Sequence, residues 1–210
     1  VIAVAEDGSA VVPLLGGHRG ANRMARDIAA VLGVAPAITT AGDVRFGVAL
    51  DEPPPGWHLA NPEDAREFTA ALLAGEAVRL DGEAPWLTAS DLPLAEAAEL
   101  TIVATDRSIG GGKRTLVYHP RTLAVGLGCE RGAAPEEMVA LICETLKDAG
   151  LAEAAVATVV SIEFKSDEAA VLKAAVALGV EARHEGTADL AEHLGEEAGV
   201  GDFVGLEAVL

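Results

Sequence analysis

Between Leu123 and Glu185 the sequence switches repeatedly between short apolar runs and longer amphipathic ones. "TLAVGLG" predicts a strand, and "AAPEEMVALICETLKDAG" predicts a helix. That helix has Pro135 and Glu136-Glu137 in its first turn and Gly150 at its end. "AVATVVSIEFK" predicts a second strand, and "SDEAAVLKAAVALG" a second helix capped by Ser166 or Asp167. "VEARHEG" predicts a third strand, and "TADLAEHLGEEAG" begins a further helix capped by Thr187. Strands that alternate with helices bury their apolar side chains as a parallel sheet covered by those helices. The pattern begins after His119-Pro120-Arg121, which places a domain boundary near 119. The expected fold is therefore α/β, with two small α/β domains over 1–118 and 119–210, the second a mostly parallel sheet flanked by helices.

The first part is less regular. Val1 to Ala5 and Ala10 to Leu15 read as strands joined by a turn at Glu6-Asp7-Gly8-Ser9. Ala21 to Leu32 carries Met24, Ile28, Val31 and Leu32 at helical spacing and stops at Gly33. "PAITTAGD" reads as a short strand ending in polar residues, and "DEPPPGW" as a breaker segment. Asn61 reads as the cap of a helix running to about Ala74, with Pro62 in its first turn. Strands are expected near Ala77 to Leu80, Leu100 to Thr105 and Thr115 to Tyr118, with "DRSIGGGKR" as a loop between the last two.

Composition narrows the function classes. The chain has 210 residues, enough for two small domains with real cores, and half of them are hydrophobic. With 15 basic and 33 acidic residues its formal net charge is −18. Such a surface repels nucleic acid and anionic membranes, so neither is an expected partner, and an anionic ligand needs basic groups gathered locally. Two cysteines, Cys129 and Cys143, allow at most one disulfide and suggest no zinc site. A reducing, cytoplasmic compartment suits them. No signal peptide or membrane-length apolar run is visible. The opening "VIAVAEDG" lacks Met and is already strand-like, which predicts a trimmed part of a longer protein.

The most suggestive motif is Gly16-Gly17-His18-Arg19-Gly20, placed between a strand and a helix. Such a turn aims unpaired backbone N–H groups outward, and the helix dipole adds partial positive charge. Arg19 and Arg23 would reinforce an anion site there, and His18 would shuttle a proton near neutral pH. The same residues also read as a tight turn with surface arginines. "GLGCERG", Gly126 to Gly132, approximates a dinucleotide fingerprint, but its last glycine comes one residue late. Two carboxylates then occupy the position of a pyrophosphate. The glycines still admit a ligand near Gly128, with Cys129 either lining the pocket or simply buried. "GGGKR" is not a Walker loop, because Arg114 follows Lys113 and Arg107 stands where glycine is required. Lys165 and Ser166 sit at the carboxyl end of a predicted strand, where parallel sheets bind ligands. No Ser-His-Asp triad is assignable.

Together these pieces resemble one family. "LLGGHRGANRMARDIAAVLGVAPAITTAGD" resembles the N-terminal signature of the cobalt-precorrin-5A hydrolases of cobalamin biosynthesis. "HPRTLAVGLGCERGAAPEEM" and "VVSIEFKSDEAAVLKAAVALGV" resemble the C-terminal domain of that family. The chain departs from the family by reading Leu15-Gly16-Gly17-His18 where serine usually precedes the glycine, and by having the single Gly20 before Ala21-Asn22. The resemblance implies hydrolytic opening of the ring A lactone of cobalt-precorrin-5A, with release of acetaldehyde to give cobalt-precorrin-5B. It implies His18 as the catalytic acid or base. It implies substrate contacts from Gly17, Arg19, Gly20, Asn22 and Arg23, and from Thr39, Thr40 and Asp43 of the "TTA-x-D" segment. Further contacts are expected from Gly128, Cys129, Arg131 and Lys165. The expected partner is an anionic, cobalt-containing tetrapyrrole. No protein cofactor or metal site is implied, because the cobalt travels with the substrate. A precorrin methyltransferase, fused or associated, is a further expected partner. The alternative expectation is a non-catalytic tetrapyrrole-binding or channelling module.

Overall fold

Two short apolar triplets, Ile2–Val4 (β1) and Val11–Pro13 (β2), pair antiparallel across the turn at residues 5–10. Asp7 holds that turn by accepting hydrogen bonds from the Ser9 hydroxyl and backbone N–H. These observations come from a computed structural model that describes residues 1–17, 20–38, 40–186 and 203–208. His18, Arg19 and Thr39 lie outside the described residues, as does the expected helix after Thr187.

The chain divides into two compact units. The first comprises Val1–Pro55, Leu59–Ala104 and Gly110–Tyr118. The second comprises Gly56–His58, Thr105–Ile109 and the described residues from His119 onward.

In the first unit, helix α1 (Ala21–Leu32) starts at Gly20, whose φ of 86° is a left-handed conformation that disfavours any side chain. The helical spacing is correct, but the expected inner face is not. Val31 is 87% exposed and Met24 58% exposed, whereas Asn22, Ala25 and Ala29 are buried. Small side chains at 25 and 29 let the helix close down on Val11, and Ile2, Ile28 and Val34 pack around that contact. A larger side chain at either position would hold the helix off the strand. The expected strand in "PAITTAGD" is reduced to one parallel bridge between Pro36 and Val11. The polar end of that segment instead forms helix α2 (Ala41–Phe46), which abuts the next helix where Gly42 faces Thr69.

Most of a four-stranded sheet also belongs to this unit. The sheet contains β3 (Trp57–Leu59), β4 (Val78–Asp81), β5 (Leu100–Ala104) and β6 (Thr115–Pro120), in the order β3-β6-β5-β4. Strands β4, β5 and β6 run parallel. Helix α3 (Ala65–Leu73) begins later than expected, at the N-cap Asp64, and α4 (Pro85–Thr88) is a single short turn. Asn61 is therefore not a helix cap. Its side chain is buried and donates to Thr115 O at 2.9 Å and to Asp64 Oδ2 at 2.9 Å. It also accepts from Val117 N–H at 3.0 Å, so it completes the β6 edge as a strand residue would. The basic residues of "GGGKR" are paired on the surface, Lys113 with Glu67 and Arg114 with Glu76 and Glu99.

In the second unit, β7 (Leu123–Gly128), β8 (Val156–Ile162) and β9 (Glu181–Glu185) are parallel neighbours. Strand β10 (Phe203–Ala208) pairs antiparallel with the free edge of β7 and was not expected from the sequence. Helices α5 (Pro135–Asp148) and α6 (Ala169–Leu178) supply Met138, Ile142, Leu146, Val171 and Ala174 to one core with Val125 and Val159. The N-cap of α6 is Glu168, displaced from Ser166 or Asp167 by a 3-10 turn over Glu163–Lys165. The α/β class with helices flanking a mostly parallel sheet holds. No described helix is long and apolar enough to cross a membrane.

Candidate functional site

The glycine turn that precedes α1 opens into a polar cradle within the first unit. Asn22, only 4% exposed, projects from the first turn of α1. Its amide donates to Thr40 Oγ1 at 2.6 Å and to Asp43 Oδ2 at 3.2 Å. Arg26, one helical turn on, donates to the same carboxylate oxygen at 2.9 Å. A side chain in place of Gly17 would meet Asn22 at 3.2 Å and Thr40 Oγ1 at 3.4 Å, so a glycine there lets the turn lie close over the pair.

Gly20 forms the opposite corner. A Cβ there would lie 3.8 Å from Glu52 Oε1 and 4.0 Å from an Arg23 Nη. Glu52 Oε2 lies 3.9 Å from Arg26 Nη1 and, among the described residues, has no hydrogen-bond partner. Burial pushes the Glu52 carboxyl above the usual carboxylate range. Asp51 and Asp43 push it further in that direction, and Arg23 and Arg26 oppose them. The segment carrying Glu52 is anchored from below, where the buried Tyr118 hydroxyl donates to Leu50 O. Trp86 meets the Tyr118 ring edge-on, with centroids 5.2 Å apart.

An open cleft of about 660 Å³ adjoins the same corner. Gly16, Gly20 and Arg23 line its polar side, and Val4, Leu15 and Met24 its apolar side. An apolar wall with one cation at the rim suits an amphiphilic anion of considerable size.

Of the residues singled out from the sequence, Gly17, Gly20, Asn22, Arg23, Thr40 and Asp43 are thus brought together. Arg26 and Glu52 belong to the same cluster and were missed. Arg26 had a legible signal, standing four residues after Asn22 on one helix face. Glu52 had none, because it lies in an irregular proline-rich segment.

Gly128, Cys129, Arg131 and Lys165 gather at the carboxyl ends of β7 and β8 in the second unit. Arg131 donates to both oxygens of Asp167, at 2.9 and 3.1 Å, and to Phe164 O at 2.8 Å. The Asp167 carboxyl is held below the usual range by that arginine. The buried Glu168 carboxylate accepts from Gly132 N–H at 3.1 Å, with Lys165 Nζ 4.0 Å away. A protein carboxylate therefore sits where the glycine loop would otherwise present its N–H to a ligand. Ser161 Oγ joins the two strands by donating to Leu127 O at 2.9 Å. Cys129 borders a smaller pocket of about 120 Å³ with Ala133, Glu137 and Met138.

Residues 1–43 match the family described as cobalamin synthesis G N-terminal, and residues 123–209 match the cobalamin synthesis G C-terminus. A cobalt-precorrin-5A hydrolase from Priestia megaterium is 27% identical over 205 residues, covering 86% of this chain and 55% of that protein. Protein CobE from Sinorhizobium is 43% identical over 53 residues, covering 25% of this chain and 34% of that protein. The chain thus spans about half or less of the length of the curated relatives it matches. A solved cobalamin biosynthesis protein G homolog from Sulfolobus solfataricus is 22% identical with a TM-score of 0.32, covering 92% of this chain and 58% of that one. Both ends of the chain match the two family models, and the chain belongs to the cobalamin synthesis G family of cobalamin biosynthesis.

Proposed function

We propose that the chain hydrolyses the ring A lactone of cobalt-precorrin-5A, with release of acetaldehyde and formation of cobalt-precorrin-5B. The observation that carries this reading is the meeting of Gly17, Gly20, Asn22 and Thr40 beside a cleft with Arg23 at its rim. The relative from Priestia megaterium bears the name of this activity.

The chemistry asks for three things. The substrate's peripheral carboxylates need cationic partners, and Arg23, with Arg19 of the same turn, is assigned to that work. The oxyanion that forms when water attacks the lactone carbonyl needs fixed donors, and the N–H groups of the turn entering α1 are assigned to it. Proton transfer needs a titratable group, and His18 of the same turn is assigned as acid or base. Thr40 and Asp43 close the far side of the cradle, and their sequence neighbour Thr39 is assigned to substrate contact with them. The cobalt is part of the substrate. In the second unit Gly128 and Cys129 remain candidates for substrate contact, whereas Arg131 and Lys165 would have to leave Asp167 and Glu168 to reach a ligand.

The test is acetaldehyde release from enzymatically prepared cobalt-precorrin-5A, with the corrinoid absorbance followed in the same sample. Acetaldehyde with the matching loss of mass from the macrocycle supports the reading. An absorbance change without acetaldehyde favours a tetrapyrrole-binding or channelling module instead.

A further inference from the structure

We propose that Glu52, in place of His18, is the general base of the lactone-opening step, taking a proton from the water that attacks the lactone carbonyl. The inference rests on the reading of the reaction given above and adds a residue that neither the sequence motifs nor the family resemblance supplied.

Position comes first. A Cβ built on Gly20 would lie 3.8 Å from Glu52 Oε1 and 4.0 Å from an Arg23 Nη, and Gly20 and Arg23 are themselves lining residues of the open cleft. The proposal requires a substrate carboxylate on Arg23 to bring the lactone past Gly20 to that oxygen. The other oxygen, Oε2, is sealed from solvent and has no hydrogen-bond partner among the described residues. The side chain as a whole is 14% exposed, so it is reachable without being freely hydrated. Asp43, which also faces α1, is differently placed: its Oδ2 already accepts from both Asn22 and Arg26. Glu52, by contrast, has one oxygen, Oε2, that accepts no hydrogen bond among the described residues.

Charge comes second. The groups facing Glu52 are Arg23 and Arg26 from α1, Asp43 from α2 and Asp51 from its own segment. Burial outweighs the arginines and makes the carboxylate a better base than an exposed one. The backbone that presents it is fixed through Leu50 O by Tyr118, a buried residue of β6. Tyr118 is on this account a positioning residue.

The step balances as follows. One O–H bond of water breaks and its proton passes to Glu52 Oε1. The water oxygen bonds to the lactone carbonyl carbon. The ring C–O bond then breaks, its electron pair stays on the departing alkoxide, and that oxygen receives the proton back from Glu52. Acetaldehyde then leaves from the released alcohol: its O–H proton is lost, the C–O bond becomes the carbonyl, and the bond from that carbon to the macrocycle breaks with its electron pair staying on the macrocycle.

The experiment compares the wild-type chain with Glu52→Gln in single-turnover acetaldehyde release, with substrate binding titrated separately by corrinoid absorbance. The expected result is a fall in rate of about 10²–10⁴-fold, the usual worth of a positioned acid or base, with binding retained within about threefold. A variant rate within about fivefold of wild type overturns the assignment, and so does a loss confined to binding. If wild type binds the corrinoid but releases no acetaldehyde, the reading of the reaction itself has failed, which is a different outcome from an active wild type with an equally active variant. If the variant does not fold by circular dichroism, the wild-type pH profile decides. A rate that falls in acid with an apparent pKa above the ordinary 4.5, and that does not move on warming, marks a carboxylate base. A flat acid side, or a limb that moves with temperature as an imidazole does, overturns it.

Discussion

Arg26 Nη2 lies 2.9 Å from Asp43 Oδ2, and this contact ties the second turn of α1 to the first turn of α2. Asn22 shares the same oxygen from beneath. Asn22→Ala removes both of its donors while leaving the partly buried Thr40 and Asp43 acceptors in place. It should cost about 1–3 kcal/mol of stability, the range for leaving buried polar groups unpaired. Asn22→Asp should be worse than Asn22→Ala, because it sets a second carboxylate against Asp43. Urea unfolding of both variants checks the order.

Arg23 reaches the rim of the cleft and carries the expected substrate carboxylate. Arg23→Ala should weaken corrinoid binding roughly tenfold, equivalent to about 1.4 kcal/mol for one charge-assisted contact. It should also flatten the salt dependence of binding. Titration at two ionic strengths tests both effects, and an unchanged affinity would exclude Arg23 as a clamp.

Glu52 predicts an uncommon pH dependence. Its carboxyl is raised by burial, so the folded chain holds this proton to higher pH than the unfolded chain does. Its contribution to stability is therefore lost as pH rises from the ordinary carboxylate value through the raised one. Glu52→Gln should melt higher than wild type near pH 8, and the difference should vanish in acid. Thermal melts across that window test the sign. A residue that lowers stability while improving chemistry is what a functional carboxylate should look like.

In the second unit the two cation pairs differ in setting. Lys165 and Glu168 are nearly buried, with side chains 13% and 5% exposed, whereas Arg131 and Asp167 meet on the surface. Glu168→Ala strands Gly132 N–H and Lys165 together and should cost about 1–3 kcal/mol. Arg131→Ala should change stability much less. Parallel unfolding curves decide, and an equal cost would show that the exposed pair contributes more than its hydration suggests.

Gly82 offers a test of the first unit's sheet. Its φ is 95°, and a Cβ there would lie 2.2 Å from Ala104 O. Gly82→Ala should therefore destabilise the chain by more than the roughly 1 kcal/mol that a left-handed conformation alone costs, because backbone must move. Urea unfolding provides the number.

The regular part of this architecture was legible because it is locally encoded. Strands β7, β8 and β9 alternate with α5 and α6, and each element carries its own apolar period and stop signal. Helix α1 was equally legible in extent, but its buried face was not. Apolar period marks Met24 and Val31, whereas close packing on Val11 selects Ala25 and Ala29. Asn61 misled for a related reason: Asn before Pro-Glu-Asp is a capping pattern, but the β6 edge, more than fifty residues away in sequence, claimed its side chain. Glycines and polar residues around the turn pointed to the cradle because they are neighbours in sequence. Glu52 reaches it through tertiary structure alone, held by a contact from Tyr118, and no local pattern reports such a contact.

The measurement that bears most directly on the central claim is acetaldehyde release from cobalt-precorrin-5A by this 210-residue chain, with the macrocycle mass determined in the same reaction. The account predicts one acetaldehyde for each macrocycle that loses the two-carbon fragment. Corrinoid that binds, shifts its absorbance and is recovered with unchanged mass would contradict it.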